Sequence, residues 1–192
     1  LALLLICLAV LILLVYGNTL SAVLTLIGVI IYSYLYTVLL KKRTPWATVI
    51  GGFSGALPPA IGWALVKGSL GVEALILFGL LFFWQPPHFW SLAVKYREDY
   101  ATAAIPTLPV VRHKKDVGDS CMIFISILLL ISILPYIKGM AGGYYLITAL
   151  ILGIFYLILV FLDFRVQKHP TIATFSYSIV YLVFLLTVMI ID

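Results

Sequence analysis

Charge is scarce in this chain. Only 10% of its 192 residues are Asp, Glu, Lys or Arg, against about 25% in a soluble domain, and that deficit excludes a soluble globular fold. Strict alternation of apolar and polar residues is missing as well, which excludes a membrane β-barrel, whose strands alternate between lipid and lumen. Cysteine is limited to Cys7 and Cys121, both inside apolar runs. Their spacing matches no zinc site, haem-attachment motif or disulfide framework, so each reads as a space-filling helix residue. Nothing forms a soluble basic platform, so nucleic acid is not an expected partner. No basic segment precedes an apolar core at the start, so no signal peptide is expected.

What remains is 64% hydrophobic and arranged in long runs. Uncharged stretches of about 20 residues read as transmembrane helices, because a backbone in lipid must satisfy its own hydrogen bonds. The predicted fold is an all-α membrane protein with seven transmembrane helices: Leu1–Tyr16, Leu20–Leu40, Ala47–Val66, Val72–Val94, Val117–Ile137, Ala141–Leu162 and Thr171–Ile191. All of 1–192 is expected to form one bundle, with no soluble domain and no linker. The chain starts at Leu1 inside an apolar run, and its first span is short for a bilayer. The expectation is therefore the C-terminal part of a longer protein.

Lys and Arg are distributed unevenly between the connectors. Those after spans two, four and six hold Lys41, Lys42, Arg43, Lys95, Arg97, Arg112, Lys114, Lys115, Arg165 and Lys168, ten of the twelve; Lys67 and Lys138 are the others. Basic connectors stay on the cytoplasmic side of a bacterial membrane or its topological equivalent. The net charge of +5 thus gathers on one face. Anionic lipid headgroups would account for it, and so would a phosphate-bearing substrate.

Span three contains VIGGFSGALPPAIGW. Gly51 and Gly55, four apart, let a neighbouring helix approach closely. Pro58 and Pro59 remove two backbone donors in mid-membrane. That is either a kink used for packing or an irregularity lining a cavity. In the last two spans, Tyr144, Tyr145, Tyr156, Tyr177 and Tyr181 form an interfacial belt where shallow. Any deeper one needs a hydrogen-bond partner or a ligand.

The densest chemistry lies in FWQPPHFWSLAVKYREDYATAAIPTLPVV, residues 83–111. Gln85 and His88 fall about one turn inside a charged cluster of Lys95, Arg97, Glu98 and Asp99. If the helix runs on past Val94, Lys95 and Asp99 share a face and can pair. A solvated helix end explains that pair, but not the prolines, the His or the paired Trp84 and Trp90. Polar residues just inside a membrane helix are functional candidates. Carboxylates with basic groups at a membrane face suit a magnesium ion bridging to phosphate, with Lys and Arg holding the other oxygens. Aromatic faces nearby can stabilise a developing cation. Departure of pyrophosphate from an allylic lipid needs all three. Lys41, Lys42 and Arg43, with Tyr36 just above them, either clamp the same phosphate or serve only as a topological signal.

The segments YTVLLKKRTPWATVIGGFSGALPPAIGW and FWQPPHFWSLAVKYREDYATAAIPTLPVV, with the ending FSYSIVYLVFLLTVMIID, resemble the protohaem-farnesylating members of the UbiA-type intramembrane prenyltransferases. The likeness runs from about Tyr36 to Asp192. It implies a nine-helix bundle of which this chain holds seven, the first two helices and the first Asp-rich metal loop being absent. It implies transfer of a farnesyl group from farnesyl diphosphate to a vinyl group of haem B, with addition of water, for the haem of terminal oxidases. It also implies Mg²⁺, a lipid bilayer, and possible contacts with haem A synthase or oxidase assembly factors. The implied location is a bacterial inner membrane, or a mitochondrial inner membrane, with the site facing cytoplasm or matrix.

The second Asp-rich loop of the family falls on KYREDY. The wider superfamily has Asp where this chain has Lys95, which leaves Asp99, assisted by Glu98, as metal ligand. Lys41, Arg43, Lys95 and Arg97 would hold pyrophosphate. Tyr36, Gln85, Trp84 and Trp90 would line the substrates, and His88 would face the porphyrin or assist the water step. The chain alone is expected to be inactive. Two other readings are a UbiA-type enzyme acting on a quinone precursor, and a non-enzymatic transporter or scaffold.

Overall fold

Apolar runs with no internal polar face become helices that are hydrophobic all round, and such helices are stable only when sheathed by lipid or by each other. The computed structural model describes residues 1–167 and 172–192; Lys168 and Thr171, used above for charge and span limits, lie outside them. Among the described residues there are nine helices and no strand. They are α1 Ala2–Tyr16, α2 Thr19–Leu40, α3 Ala47–Lys67, α4 Val72–Lys95, α5 Arg97–Thr102, α6 Leu108–Val111, α7 Lys114–Ile137, α8 Gly143–Val166 and α9 Ala173–Ile191. Six of these, α2, α3, α4, α7, α8 and α9, are long and apolar enough to cross a membrane. The first, α1, is apolar but only 15 residues long, below the roughly 20 that a hydrocarbon core requires. The two short helices α5 and α6 lie between spans. The chain is an all-α integral membrane protein.

Packing follows chain order: α1 on α2, α2 on α3, α3 on α4, then α4 against α7 and α9, with α8 between α7 and α9. None of the residues of α1 is buried. The core centres on Trp90, Leu80, Ile125, Leu128, Tyr156, Tyr181 and Leu185. Small residues let α3 and α4 touch: Gly52 and Gly55 lie under the Gln85 amide of α4, and Gly51 lies under the Tyr36 ring of α2. The close approach expected from Gly51 and Gly55 is realised, from two sides rather than one.

The largest shifts from the sequence reading are at the start of α7 and the end of α8. Helix α7 begins at Lys114, not Val117, because its charged first turn is anchored: the Lys114 amine donates to the Gln167 carbonyl at 3.0 Å, and Asp116 suits the positive end of the helix dipole. Helix α8 runs four residues past Leu162. Those residues bring Asp163 inside, where it accepts from the Thr174 hydroxyl at 2.6 Å and the Thr174 amide at 3.3 Å. A buried carboxylate is tolerable there because it is hydrogen-bonded. Helix α4 stops at Lys95, with Tyr96 out of helical geometry, so the helical continuation that would pair Lys95 with Asp99 does not occur.

Basic connectors converge at one end of the bundle. Lys41 and Lys42 come beside residues 100–110, and Arg165 pairs with Asp119 across the α8–α7 contact. At the opposite end, Asn18 donates to the Ala64 carbonyl at 2.7 Å and Asp192 caps the Tyr145 amide at 2.9 Å.

The tyrosines divide by depth. Tyr144 is exposed, whereas Tyr145, Tyr156 and Tyr181 are fully buried, and the Tyr145 hydroxyl makes no hydrogen bond among the described residues. An unmade buried hydrogen bond costs about 1–3 kcal/mol. Tyr145→Phe is therefore expected to leave stability unchanged or raise it by up to about 1 kcal/mol, read by thermal unfolding in detergent. A loss of that size would instead show that the hydroxyl is satisfied.

Candidate functional site

Helices α2, α3 and α4 and the α5–α6 segment enclose a cavity of about 380 Å³ at the basic end, within the range of about 300–1,000 Å³ for small-molecule sites. Helix α2 contributes Tyr32 and Tyr36, with Lys41 just past its end. Helix α3 contributes Thr48, Gly51, Gly52, Ser54 and Gly55. Helix α4 contributes Gln85, Phe89, Trp90 and Ala93, and Tyr100, Ile105 and Thr107 close the mouth. Among the described residues, Lys41 is the one charged side chain on that wall, and it is half-buried.

The double prolines mark this cavity. A proline nitrogen carries no hydrogen, so Pro58 and Pro59 deprive the carbonyls of Ser54 and Gly55 of their usual helical donors. Both residues line the cavity, while α3 stays helical through the pair. Irregular hydrogen bonding at membrane depth thus sits where a polar ligand or water can meet it. Gln85 is fixed by its amide nitrogen, which donates to the carbonyls of Gly52 at 3.1 Å and Leu81 at 3.2 Å. Trp90 is fully buried, edge-on to Trp46 at 6.1 Å and to Phe124 at 5.4 Å.

Of the residues singled out from sequence, Tyr36, Lys41, Gln85 and Trp90 meet at this cavity. Glu98 and Asp99 do not line it, although Tyr100, the next residue, does. Both are exposed in the first turn of α5. Lys95 is exposed too, with its amine 5.7 Å from the Tyr96 ring. Among the described residues no ion pair joins it to Glu98 or Asp99. The Arg97 guanidinium reaches the Val110 carbonyl at 3.3 Å, tying α5 to α6, and Arg43 is exposed in the α2–α3 connector.

His88 and Trp84 face α9 instead. The His88 Nδ1 lies 2.6 Å from the Ser178 hydroxyl, and its ring stacks between Trp84 at 4.4 Å and Phe175 at 4.6 Å. Trp84 donates to the Ser178 carbonyl at 2.8 Å. The sequence reading missed Tyr32, Thr48, Phe89, Tyr100 and Thr107. Tyr32, four residues before Tyr36, carried a signal; Thr107 carried none apart from its place in IPTLPV.

The model of the UbiA prenyltransferase family matches residues 1–188. The chain belongs to the UbiA prenyltransferase family. Among its relatives is a protein named protoheme IX farnesyltransferase from Neorickettsia sennetsu, 46% identical over 178 residues, or 91% of this chain and 58% of the relative. One of the same name from Aquifex aeolicus is 41% identical over 94% of this chain and 62% of its own length. Protoheme IX farnesyltransferase 1 from Pseudomonas putida is 43% identical over 94% and 61%. The chain thus spans about three-fifths of the length of these curated relatives. No solved structure matches it. Within this UbiA member, the glycines of α3 and the tyrosines of α2 line the cavity, and Tyr100, Ile105 and Thr107 close its mouth.

Proposed function

We propose that the chain builds part of a site that transfers a farnesyl group from farnesyl diphosphate to a vinyl group of haem B, producing haem O. The observation that carries this reading is the 41–46% identity, over more than nine-tenths of the chain, to relatives named protoheme IX farnesyltransferase. A cavity with one cation and several aromatic walls at the basic end supports it. The bacterial origin of these relatives supports a bacterial inner membrane, and the basic connectors favour a site on its cytoplasmic side. The chain is read as the C-terminal part of a single nine-span bundle.

In this reaction the bond from the donor's first carbon to oxygen breaks, and both electrons leave with the diphosphate. The terminal vinyl carbon of the haem takes up the allylic cation. Water adds to the neighbouring carbon and releases a proton. Lys41 on the wall, with the exposed Arg43, Lys95 and Arg97, offsets the diphosphate charge. The ring faces of Tyr32, Tyr36 and Trp90 stabilise the cation. Gln85, held by its two carbonyls, orients the substrate. His88 is assigned to the porphyrin or the water step; it contacts the wall through Phe89, 5.1 Å away, and Trp84 stacks on it from behind.

Magnesium is tested by the donors present. No group of three or more His, Cys, Asp or Glu side chains among the described residues could hold a metal, which rules against an all-protein cage. Glu98 and Asp99 are adjacent and exposed, and neither forms an ion pair among the described residues. Magnesium binds through one or two carboxylates together with substrate phosphates and water, so these two residues fit an ion that arrives with the diphosphate. When bound, it would neutralise the departing diphosphate.

The test is haem O formation by membranes carrying the complete gene product, supplied with haem B and farnesyl diphosphate. Asp99→Ala is expected to lower the rate at least about tenfold, the effect of losing roughly 1.4 kcal/mol of transition-state stabilisation. An unchanged rate would remove Asp99 from the site. Mass spectrometry of the lipid extract distinguishes a prenylated haem from a prenylated quinone precursor. Saturable solute uptake by vesicles without any prenylated product would favour a transporter.

A further inference from the structure

The second half of α2 is wound more widely than an α-helix. Residues Ile31–Leu40 form a π-helix, and the Lys41 amide donates to the Tyr36 carbonyl five residues back at 2.8 Å. Stretches of this kind are rare, usually one turn long, and frequent at functional sites. Here the stretch covers ten residues and leads into the cavity's one cation.

Winding decides which way that cation points. From Tyr32 to Lys41 is nine residues. At 3.6 residues per turn this is about two and a half turns, which would put Lys41 on the opposite side of the helix from Tyr32. With i→i+5 bonding the turn holds about 4.4 residues, so nine residues make close to two full turns. Tyr32, Tyr36 and Lys41 then share one face, and all three line the cavity. Ile31 and Leu35 line a separate, apolar groove on the lipid side.

Two contacts hold the wide turns in place. The Tyr36 ring lies against Gly51, where a Cβ would fall 2.7 Å from it. The Thr37 hydroxyl donates to the Tyr32 carbonyl, also five residues back, at 2.7 Å. Thr37 itself is exposed and does not line the cavity. In an α-helix, a threonine hydroxyl bonds a carbonyl three or four residues back, so this contact belongs to the wide form.

We propose that the π-winding of Ile31–Leu40 is the device that turns Lys41 into the cavity to receive an anionic diphosphate head, and that Thr37 is a positioning residue that holds the winding. The ligand class rests on the farnesyl diphosphate reading; the winding does not.

The experiment reads the two separately. The protein in detergent is treated with an amine-acylating reagent, and acylation at Lys41 and Lys42 is compared by mass spectrometry, without ligand and with inorganic pyrophosphate. Without ligand, half-buried Lys41 is expected to react more slowly than exposed Lys42. Thr37→Val is expected to bring the two rates together, raising the Lys41 to Lys42 ratio about fivefold, the equivalent of one hydrogen bond. Thr37→Ser is expected to restore the original ratio. Deleting Val38 removes the residue that the wide turn accommodates. It leaves Tyr36 and Lys41 four apart, on one face of an ordinary α-helix, and is expected to keep the slow Lys41 rate. A ratio unmoved by Thr37→Val, or one that rises in the Val38 deletion while α-helicity is retained, overturns the winding. Thermal unfolding identifies any variant that fails to fold, and Thr37→Ser against Thr37→Val then decides. Failure of pyrophosphate to slow Lys41 in the unaltered protein overturns the diphosphate assignment and leaves the ligand-free result standing.

Discussion

Trp90→Ala is expected to destabilise the bundle by about 3 kcal/mol, near the lower end of the range for removing a large aromatic from a packed core. Trp90 is fully buried and belongs to the largest apolar cluster, touching Trp46 on one side and Phe124 on the other. In a soluble protein, part of such a loss is transfer of apolar surface to water. In a bilayer, lipid tails are as apolar as the interior, so what disappears is mainly packing. That loss is large, because each buried side chain makes dozens of close contacts. The indole also forms part of the cavity wall. The variant should therefore lose ligand affinity as well as stability, whereas Trp90→Phe should recover much of the stability. Unfolding in mixed detergent measures both variants. A change below about 1 kcal/mol for Trp90→Ala, typical of a surface position, would mean that this side chain does not organise the core.

Gly55→Ala is expected to cost about 1–3 kcal/mol, the range for overpacking a filled interior. A Cβ there would overlap the Gln85 carbonyl oxygen and stand 3.0 Å from the amide carbon. Gln85 cannot swing aside freely, because its nitrogen is bonded to Gly52 and Leu81. Moving it would leave a buried amide unpaired. Gly62→Ala, in the same helix, provides the contrast. Among the described residues, no atom beyond its own stretch of helix backbone lies within 4 Å of its Cβ position, so alanine is expected to stabilise by about 0.5–1 kcal/mol through its better helix propensity. Equal effects at the two positions would show that α3 and α4 are not in the contact described.

Much of the architecture was legible before any coordinates. Lipid forbids unsatisfied backbone, so uncharged runs near 20 residues could only be helices, and six of the seven expected spans are long enough to cross. The gathering of basic connectors at one end of the bundle was legible as well, since they follow alternate spans. The cavity was half legible. Gly51, Gly55 and the proline pair marked α3, and Tyr36, Lys41, Gln85 and Trp90 stood out as polar or aromatic groups at a span end.

What the sequence determined alone was the class of fold and the end of the bundle at which its chemistry gathers, because both follow from the cost of placing polar groups in hydrocarbon. Only the tertiary structure decided which candidates meet. The helix stop at Lys95 separated Lys95 from Asp99. The Ser178 contact drew His88 toward α9. The wide turns of α2 rotated Lys41 onto the face of Tyr32. Each outcome depends on a bond to a distant residue or on the winding of a few turns, and periodicity read at 3.6 residues per turn carries neither.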